Sequence, residues 1–351
     1  MTRALVTGAQ GFVGRYLVAE LLAADPAIEV SGVGRSPARA TFTHRIALGR
    51  ERVLAPLPAE LAAAGNETRY RYFQADIRDR EALRTILHEF RPQWIFHLAS
   101  GLRDDSPKHL FGTNVEGTID LLETVAGAAS PVERIVMGSS GSVYGTPRAL
   151  PLEEDTPCEP GDFYAVSKLA QEHAARLIAG QHGLHLAVAR IFNILGAGQD
   201  ERHVAGRFAS QIAAIEAGSV PPRLQTGDLL TARDFIDVRD VARALVLLAR
   251  QPKLTGTYNV AAGAATPIGD VLRTLLDLAR LNRPVEIERT YFRAADAPCS
   301  FAGIARLRAA GYAPSVPLDR SLGDVLEYYR QNLRIAKSAS HRGAKILAQR
   351  A

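Results

Sequence analysis

The chain has 351 residues, 47% of them hydrophobic and 23% charged, which describes a globular protein with enough apolar content for a sizeable core, not a disordered or low-complexity chain. No apolar run reaches membrane-span length, the first one stops at Gly8 without a secretory pattern, and two cysteines (Cys158, Cys299) make neither a disulfide framework nor a zinc site, so a cytoplasmic, metal-free protein with no membrane partner is expected. The net charge of +5 is mild and partly gathered after Arg330 (Arg334, Lys337, Arg342, Lys345, Arg350), which argues against nucleic acid as a partner. In chain order, Arg3 to Thr7 reads as a short apolar strand. Thr7-Gly8-Ala9-Gln10-Gly11-Phe12-Val13-Gly14 turns it directly into a helix, with Tyr16, Leu17, Val18, Leu21 and Leu22 at helical spacing up to Asp25-Pro26. Gly8 and Gly11 can make the tight turn and admit a pyrophosphate to the backbone. Gly14 lets the helix pack on the strand, and the helix N-terminus offers N–H groups and a positive dipole.

Glu29 to Val33 is the second strand. In a dinucleotide-binding unit the end of this strand selects the cofactor: a carboxylate takes the ribose 2′-hydroxyl, an arginine accommodates a 2′-phosphate. Here that place holds Gly34-Arg35-Ser36 with no carboxylate, so NADP(H) is favoured, with NAD(H) as the alternative. Residues 37–68 read as a long connection with a helix around Leu61. Tyr70 to Gln74 is strand three, followed by Ala75-Asp76-Ile77 and a helix from Arg80 to Phe90. Trp94 to Ala99 is a near-continuous apolar run, as expected of a parallel strand covered on both faces. A helix opens at Asn114, Arg134 to Gly138 is strand five, and Leu184 to Phe192 is strand six. Strands alternating with helices in this rhythm predict an α/β fold with a doubly wound parallel sheet of the Rossmann type.

After Asn193 the rhythm changes. Helices are expected at about 204–217, 238–249, 268–280 and 318–331, with short strands such as Thr257 to Val260. The division expected is a Rossmann domain over 1–192 plus roughly 234–262, and a smaller mixed α/β substrate domain over 193–233 and 263–331. Residues 332–351 read as a tail.

Two constellations carry chemistry. Tyr164 and Lys168 are four apart at a helix start, so their side chains share a face. A neighbouring ammonium and a cationic nicotinamide both favour phenolate, which moves a phenol of ordinary pKa near 10 towards neutrality. Ser139-Ser140-Gly141-Ser142-Val143-Tyr144-Gly145 follows strand five at the carboxyl edge of the sheet, where a hydroxyl can bind the substrate oxygen that Tyr164 protonates. His97 reads as a buried structural histidine, and both cysteines as inert.

Thr7-Gly-x-x-Gly-x-x-Gly14, Ser140, Tyr164-x-x-x-Lys168, Asn114 in Asn-Val-x-Gly-Thr, and Arg233-Asp234-Phe235 together resemble the extended short-chain dehydrogenase/reductase family of nucleotide-sugar epimerases, dehydratases and reductases. The resemblance covers about residues 3 to 331. Arg190 to Gln199, Phe208 to Ala213 and Arg233 to Asp240 are most similar to GDP-4-dehydro-6-deoxy-D-mannose reductases. The resemblance implies Ser140, Tyr164 and Lys168 as catalytic residues. Lys168 would also hold the nicotinamide ribose. The cofactor would lie against Gly8, Gln10, Gly11, Phe12, Val13, Gly14, Arg35, Ser36, Asp76, Ile77, Leu98, Ala99, Asn114 and Ile191. A nucleoside-diphosphate sugar would meet Ser100, Ser140, Gly141, Asn193, Arg233 and Arg293, arginine being suited to phosphate by its planar fork. Reduction of a 4-keto-6-deoxy sugar is the expected reaction, with C4 epimerisation on a tightly held cofactor as the alternative. Relatives pair through helices equivalent to those opening at Asn114 and Tyr164, so a homodimer is expected. Two departures stand out. Gly141 and Ser142 occupy positions where dehydratases carry an acid, which disfavours elimination of water, and the loop from Ser100 to Thr113 is shorter than the family norm.

Overall fold

The computed structural model describes residues 2–48, 51–128, 131–290 and 297–348, with side chains up to residue 336. Strand β1 (Arg3–Thr7) leads through the glycine-rich turn into α1 (Phe12–Ala24), and β2 (Glu29–Gly34) follows. The connection over 37–68 does contain the expected helix, α2 (Ala59–Gly65), but also an antiparallel hairpin that the sequence reading missed, β3 (Thr41–Leu48) and β4 (Glu51–Pro56). Next come β5 (Tyr70–Gln74), α3 (Arg80–Phe90) and β6 (Trp94–His97). The short α4 (Pro107–Phe111) runs into a π-helical turn at Gly112–Glu116 and then α5 (Gly117–Gly127). Strand β7 (Arg134–Ser140), a 3-10 turn at Gly141–Tyr144, α6 (Phe163–His182) and β8 (Leu186–Ile191) complete this half.

The remainder holds β9 (Asn193–Leu195), α7 (Val204–Glu216), β10 (Arg223–Thr226), β11 (Ala232–Arg233), β12 (Phe235–Asp237) and α8 (Val238–Arg250). They are followed by β13 (Gly256–Val260), β14 (Thr266–Pro267), α9 (Ile268–Asp277), β15 (Glu286–Arg289), β16 (Cys299–Ser300), α10 (Ala305–Ala309) and α11 (Leu318–Ala348). The expected tail at 332–351 is corrected over most of its length. Helix α11 continues to Ala348, because Tyr329 and Leu333 lie buried against α7 and carry the helical register past residue 331.

Seven parallel strands form the central sheet in the order β13-β8-β7-β6-β1-β2-β5. Chain order reverses between β1 and β6, so their carboxyl ends splay apart into the crevice where α/β sheets take ligands. Both sheet faces are covered. Ala4, Val6, Val136 and Ala187 meet Leu17, Leu21 and Leu245 of α1 and α8, while Leu5, Ile95, Ile135 and Val188 meet Leu83, Leu121 and Ile178 of α3, α5 and α6. A third cluster joins the hairpin's Phe42 and Ile46 to Phe208, Ile212, Leu275 and Tyr329 of α7, α9 and α11. The hairpin thus leaves the N-terminal half and buries its apolar side in the C-terminal half.

Candidate active site

At the sheet reversal, Gly8 has φ of +70° and donates its N–H to the Val33 carbonyl at 2.9 Å. A Cβ there would come within 2.8 Å of the Leu98 and Ala99 backbone, and one on Gly14 within 2.3 Å of the Gly8 carbonyl oxygen. Gly11 caps α1 without any side-chain hydrogen bond, so the amides of Phe12, Val13 and Gly14 are left for a ligand. These residues fit a dinucleotide pyrophosphate. The Phe12 ring itself turns away to pack edge-on against Tyr16 and tilted against Phe42.

The other residues expected at the cofactor are held in place by different means. The Gln10 amide donates to the Ser36 and Pro37 carbonyls at 3.1 and 2.9 Å, and its oxygen accepts from the Arg39 N–H. It therefore braces the loop after β2. Arg35 lies exposed there, its carbonyl accepting from Gln74, while the Ser36 carbonyl accepts from the Tyr72 hydroxyl at 2.7 Å. Asp76 is gripped by Arg78, whose hydrogen bonds hold its carboxyl below the usual carboxylate range. Ile77 is buried beside Gly117, and Ile191 ends β8 opposite Ser140 and Val260. Leu98 and Ala99 each donate a backbone N–H to the Thr7 hydroxyl at 3.1 Å.

That hydroxyl fixes the state of His97. With two donors already on it, Thr7 gives its proton to Nδ1 at 2.8 Å, so Nε2–H donates to Thr118, which donates on to the Asn114 carbonyl. Burial pushes the His97 pKa down to about 3, which agrees with a neutral ring and a structural role. Asn114 sits in the π turn, where Oδ1 accepts from Ser100 and Gly101, and Nδ2 donates one N–H to Ser167 at 2.8 Å. These bonds fix the segment around the site. Such turns interrupt helices most often at functional positions.

Asp162 caps α6 by accepting from the Ala165 N–H, which places Tyr164 in the first turn and Lys168 one turn later. Lys168 is buried and donates to the Gly138 carbonyl at 2.6 Å. Burial lowers its pKa to about 8, against the opposing pull of Glu172. Burial also raises Tyr164, while a hydrogen bond with Ser140 and the charge of Arg103 lower it. Among the protein's own groups, the upward push of burial on this phenol is the larger. Ser140 ends β7, its Oγ accepting from the Ser142 N–H and hydroxyl. A Cβ on Gly141 would strike the Phe192 ring at 2.9 Å, so the acidic side chain that dehydratases carry in this stretch has no room there.

Of the expected substrate residues, Ser100 donates to Asn114, Asn193 donates to the Asp234 carbonyl at 2.9 Å, and Arg233 donates to the Ala232 and Ala297 carbonyls. Arg293 lies outside the described residues. The sequence reading missed two participants. Glu172 is buried four residues beyond Lys168, forked onto Arg190 and bonded to Ser139 and Arg176. Its position on the Tyr164 and Lys168 face was legible from spacing alone. Arg103 lies over the Tyr164 ring, 5.4 Å from its centroid, and no sequence pattern marked it. Among the described residues no group of three or more His, Cys, Asp or Glu side chains could hold a metal, and no helix is long and apolar enough to cross a membrane.

The chain belongs to the NAD dependent epimerase/dehydratase family, whose pattern matches residues 4–261. Over 341 residues it is 29% identical to the GDP-6-deoxy-D-mannose reductase of Pseudomonas aeruginosa, covering 95% of this chain and 98% of that one. Over 334 residues it is 32% identical to the UDP-glucose 4-epimerase of Mycolicibacterium smegmatis, covering 93% and 98%. Among solved structures it is similar to RMD from Pseudomonas aeruginosa complexed with NADPH (TM-score 0.76, 29% identity, 95% of this chain and all of the other). It is also similar to the Thermus thermophilus UDP-glucose 4-epimerase complex with NAD (TM-score 0.75, 28% identity, 94% and 99% coverage).

Proposed function

We propose that the protein is an NADP(H)-preferring reductase of a 4-keto-6-deoxy nucleoside-diphosphate sugar. The observation that carries the reading is the near full-length similarity to a GDP-6-deoxy-D-mannose reductase on a chain that keeps Ser140, Tyr164 and Lys168 around one crevice. Bound NADPH supplies the hydride. Tyr164 delivers the proton to the sugar oxygen, Ser140 orients that oxygen, and Lys168 holds the ribose and favours the phenolate left behind. Asn193, Arg233 and Arg293 receive the diphosphate, with Ser100 and Gly141 beside the sugar. The exposed Arg35 and neighbouring Ser36, with no carboxylate at the end of β2, favour a 2′-phosphate. The Rossmann unit then comprises 1–192 with roughly 234–262, and the sugar-binding unit comprises 193–233 and 263–331. Phe163 and Leu177, 61% and 68% exposed on α6, favour a homodimer through α5 and α6. A cytoplasmic location accords with the supply of reduced cofactor.

The 32% identity to an epimerase supports a second reading, in which the same groups oxidise and re-reduce C4 without releasing cofactor. The test is spectrophotometric. Stoichiometric loss of NADPH absorbance with GDP-4-dehydro-6-deoxy-D-mannose supports reduction. Interconversion of UDP-glucose and UDP-galactose with no net absorbance change supports epimerisation. In either case Tyr164→Phe is expected to lose turnover by ~10²–10⁴-fold while the fold and NADPH binding persist. Full turnover in that variant would remove Tyr164 from the chemistry.

A further inference from the structure

No family motif falls in the loop after β6. The loop is held in a defined shape. The Gly101 N–H donates to Asn114 at 2.8 Å, and a tight turn follows in which the Asp105 carboxylate accepts from the Leu102 N–H while the Asp105 N–H returns to the Leu102 carbonyl. Arg103 projects from this turn. Its guanidinium pairs with Asp162, the residue whose other carboxylate oxygen caps α6, and lies 5.4 Å from the centroid of the Tyr164 ring. One carboxylate therefore fixes the start of the helix that carries the phenol and the cation that covers the phenol's face.

We propose that Arg103 is a positioning residue for Tyr164, a cation clamped over the phenol by Asp162 that holds the ring in its reactive attitude and stabilises it as phenolate. The proposal rests on the reading of Tyr164 as the acid–base group. A cation over a phenol face is attracted by the ring, and more strongly once the hydroxyl has lost its proton. The groups around the phenol come from every side: Ser140 at the end of β7, Asp162 at the cap of α6, Lys168 one turn along α6, and Arg103 from the loop. Burial pushes the phenol up, the Ser140 hydrogen bond and Arg103 pull it down, and Asp162 opposes them. Arg103 joins Lys168 as a second cation beside the phenol, and it comes from a segment with no motif.

The experiment follows the Tyr164 phenol directly, in NADP⁺-bound protein with isotope-labelled tyrosine ring carbons, its resonance assigned by its loss in Tyr164→Phe. Arg103→Met is expected to raise the titration midpoint by about half a pH unit, and Arg103→Lys to return most of that shift. An unchanged midpoint in Arg103→Met, with the tyrosine spectrum otherwise intact, overturns the proposal. So does a variant that raises KM for the sugar nucleotide and leaves the pH profile of kcat in place, because Arg103 would then bind substrate instead of acting through the phenol. Failure of the acid–base reading itself shows separately, as undiminished turnover in Tyr164→Phe.

Discussion

Lys168 carries its ammonium inside the protein, 3% exposed, with a backbone carbonyl as acceptor. Its pKa falls from 10.5 to about 8 because burial disfavours the charged form. The unfolded chain therefore keeps this proton up to about pH 10.5 while the folded chain releases it near pH 8, so this group makes stability rise with pH between those values. Compared with Lys168→Met by urea unfolding, the wild-type protein is expected to gain of order 3 kcal/mol across that window. A constant difference between the two proteins would contradict the assignment. Glu172 opposes this loss of charge on Lys168 and is itself paired with Arg190 and Arg176. Burial pushes the Glu172 carboxyl up, but the Arg190 fork, Ser139 and Arg176 outweigh it and keep the carboxylate charged between the cations. Tyr164, Lys168 and Ser140 were legible in the sequence because their types and spacing form a recurring pattern. Arg103 was not, because its place over the phenol depends on a turn whose shape comes from Asp105 and Asn114, not from a recurring pattern.

Among elements, the β3–β4 hairpin departs furthest from expectation. Its strands do not join the central sheet, and its buried positions face a cluster built largely from residues more than a hundred positions away, so no local periodicity announces it. The parallel strands, by contrast, declare themselves as continuous apolar runs, and α1, α3, α7, α8 and α9 fall within a few residues of where their spacing put them. Phe42 shows what the hairpin contributes. It is fully buried, stacks on His44 at 5.1 Å, contacts the Phe12 ring and fills the space left by the missing side chain of Gly198. Phe42→Ala is expected to cost ~3–5 kcal/mol in urea unfolding. Because Phe12 opens the helix proposed to receive the pyrophosphate, the same variant is expected to bind NADPH more weakly, which fluorescence titration measures. A loss of stability with unchanged cofactor affinity would show that the contact is structural only.

At the scale of the whole molecule, several links among the described residues tie the N-terminal half to the remainder. The chain returns from β12 and α8 to add β13 to the edge of the sheet. Arg239 in α8 reaches Asp324 in α11 at 2.7 Å, and the Tyr328 hydroxyl donates to the Pro56 carbonyl at the end of the hairpin. The Tyr329 hydroxyl, buried in the same region, donates to Gln199. With so many contacts crossing between halves, urea unfolding is expected to be a single transition seen alike by near-UV circular dichroism and by release of bound NADPH fluorescence. Two separated transitions would mean that the halves melt independently.

The hairpin also bears on efforts to change the coenzyme. In this chain the segment that follows Arg35 is not a free surface loop; it continues into the packing of α7 and α11. Grafting a short acidic connection between β2 and β5 to favour NAD(H) would therefore strip Phe42 and Ile46 out of the core they share with the C-terminal half. Redesign of coenzyme choice is better confined to Arg35, Ser36 and Arg39, upstream of the first hairpin strand, where side chains can be exchanged and the shared interior kept.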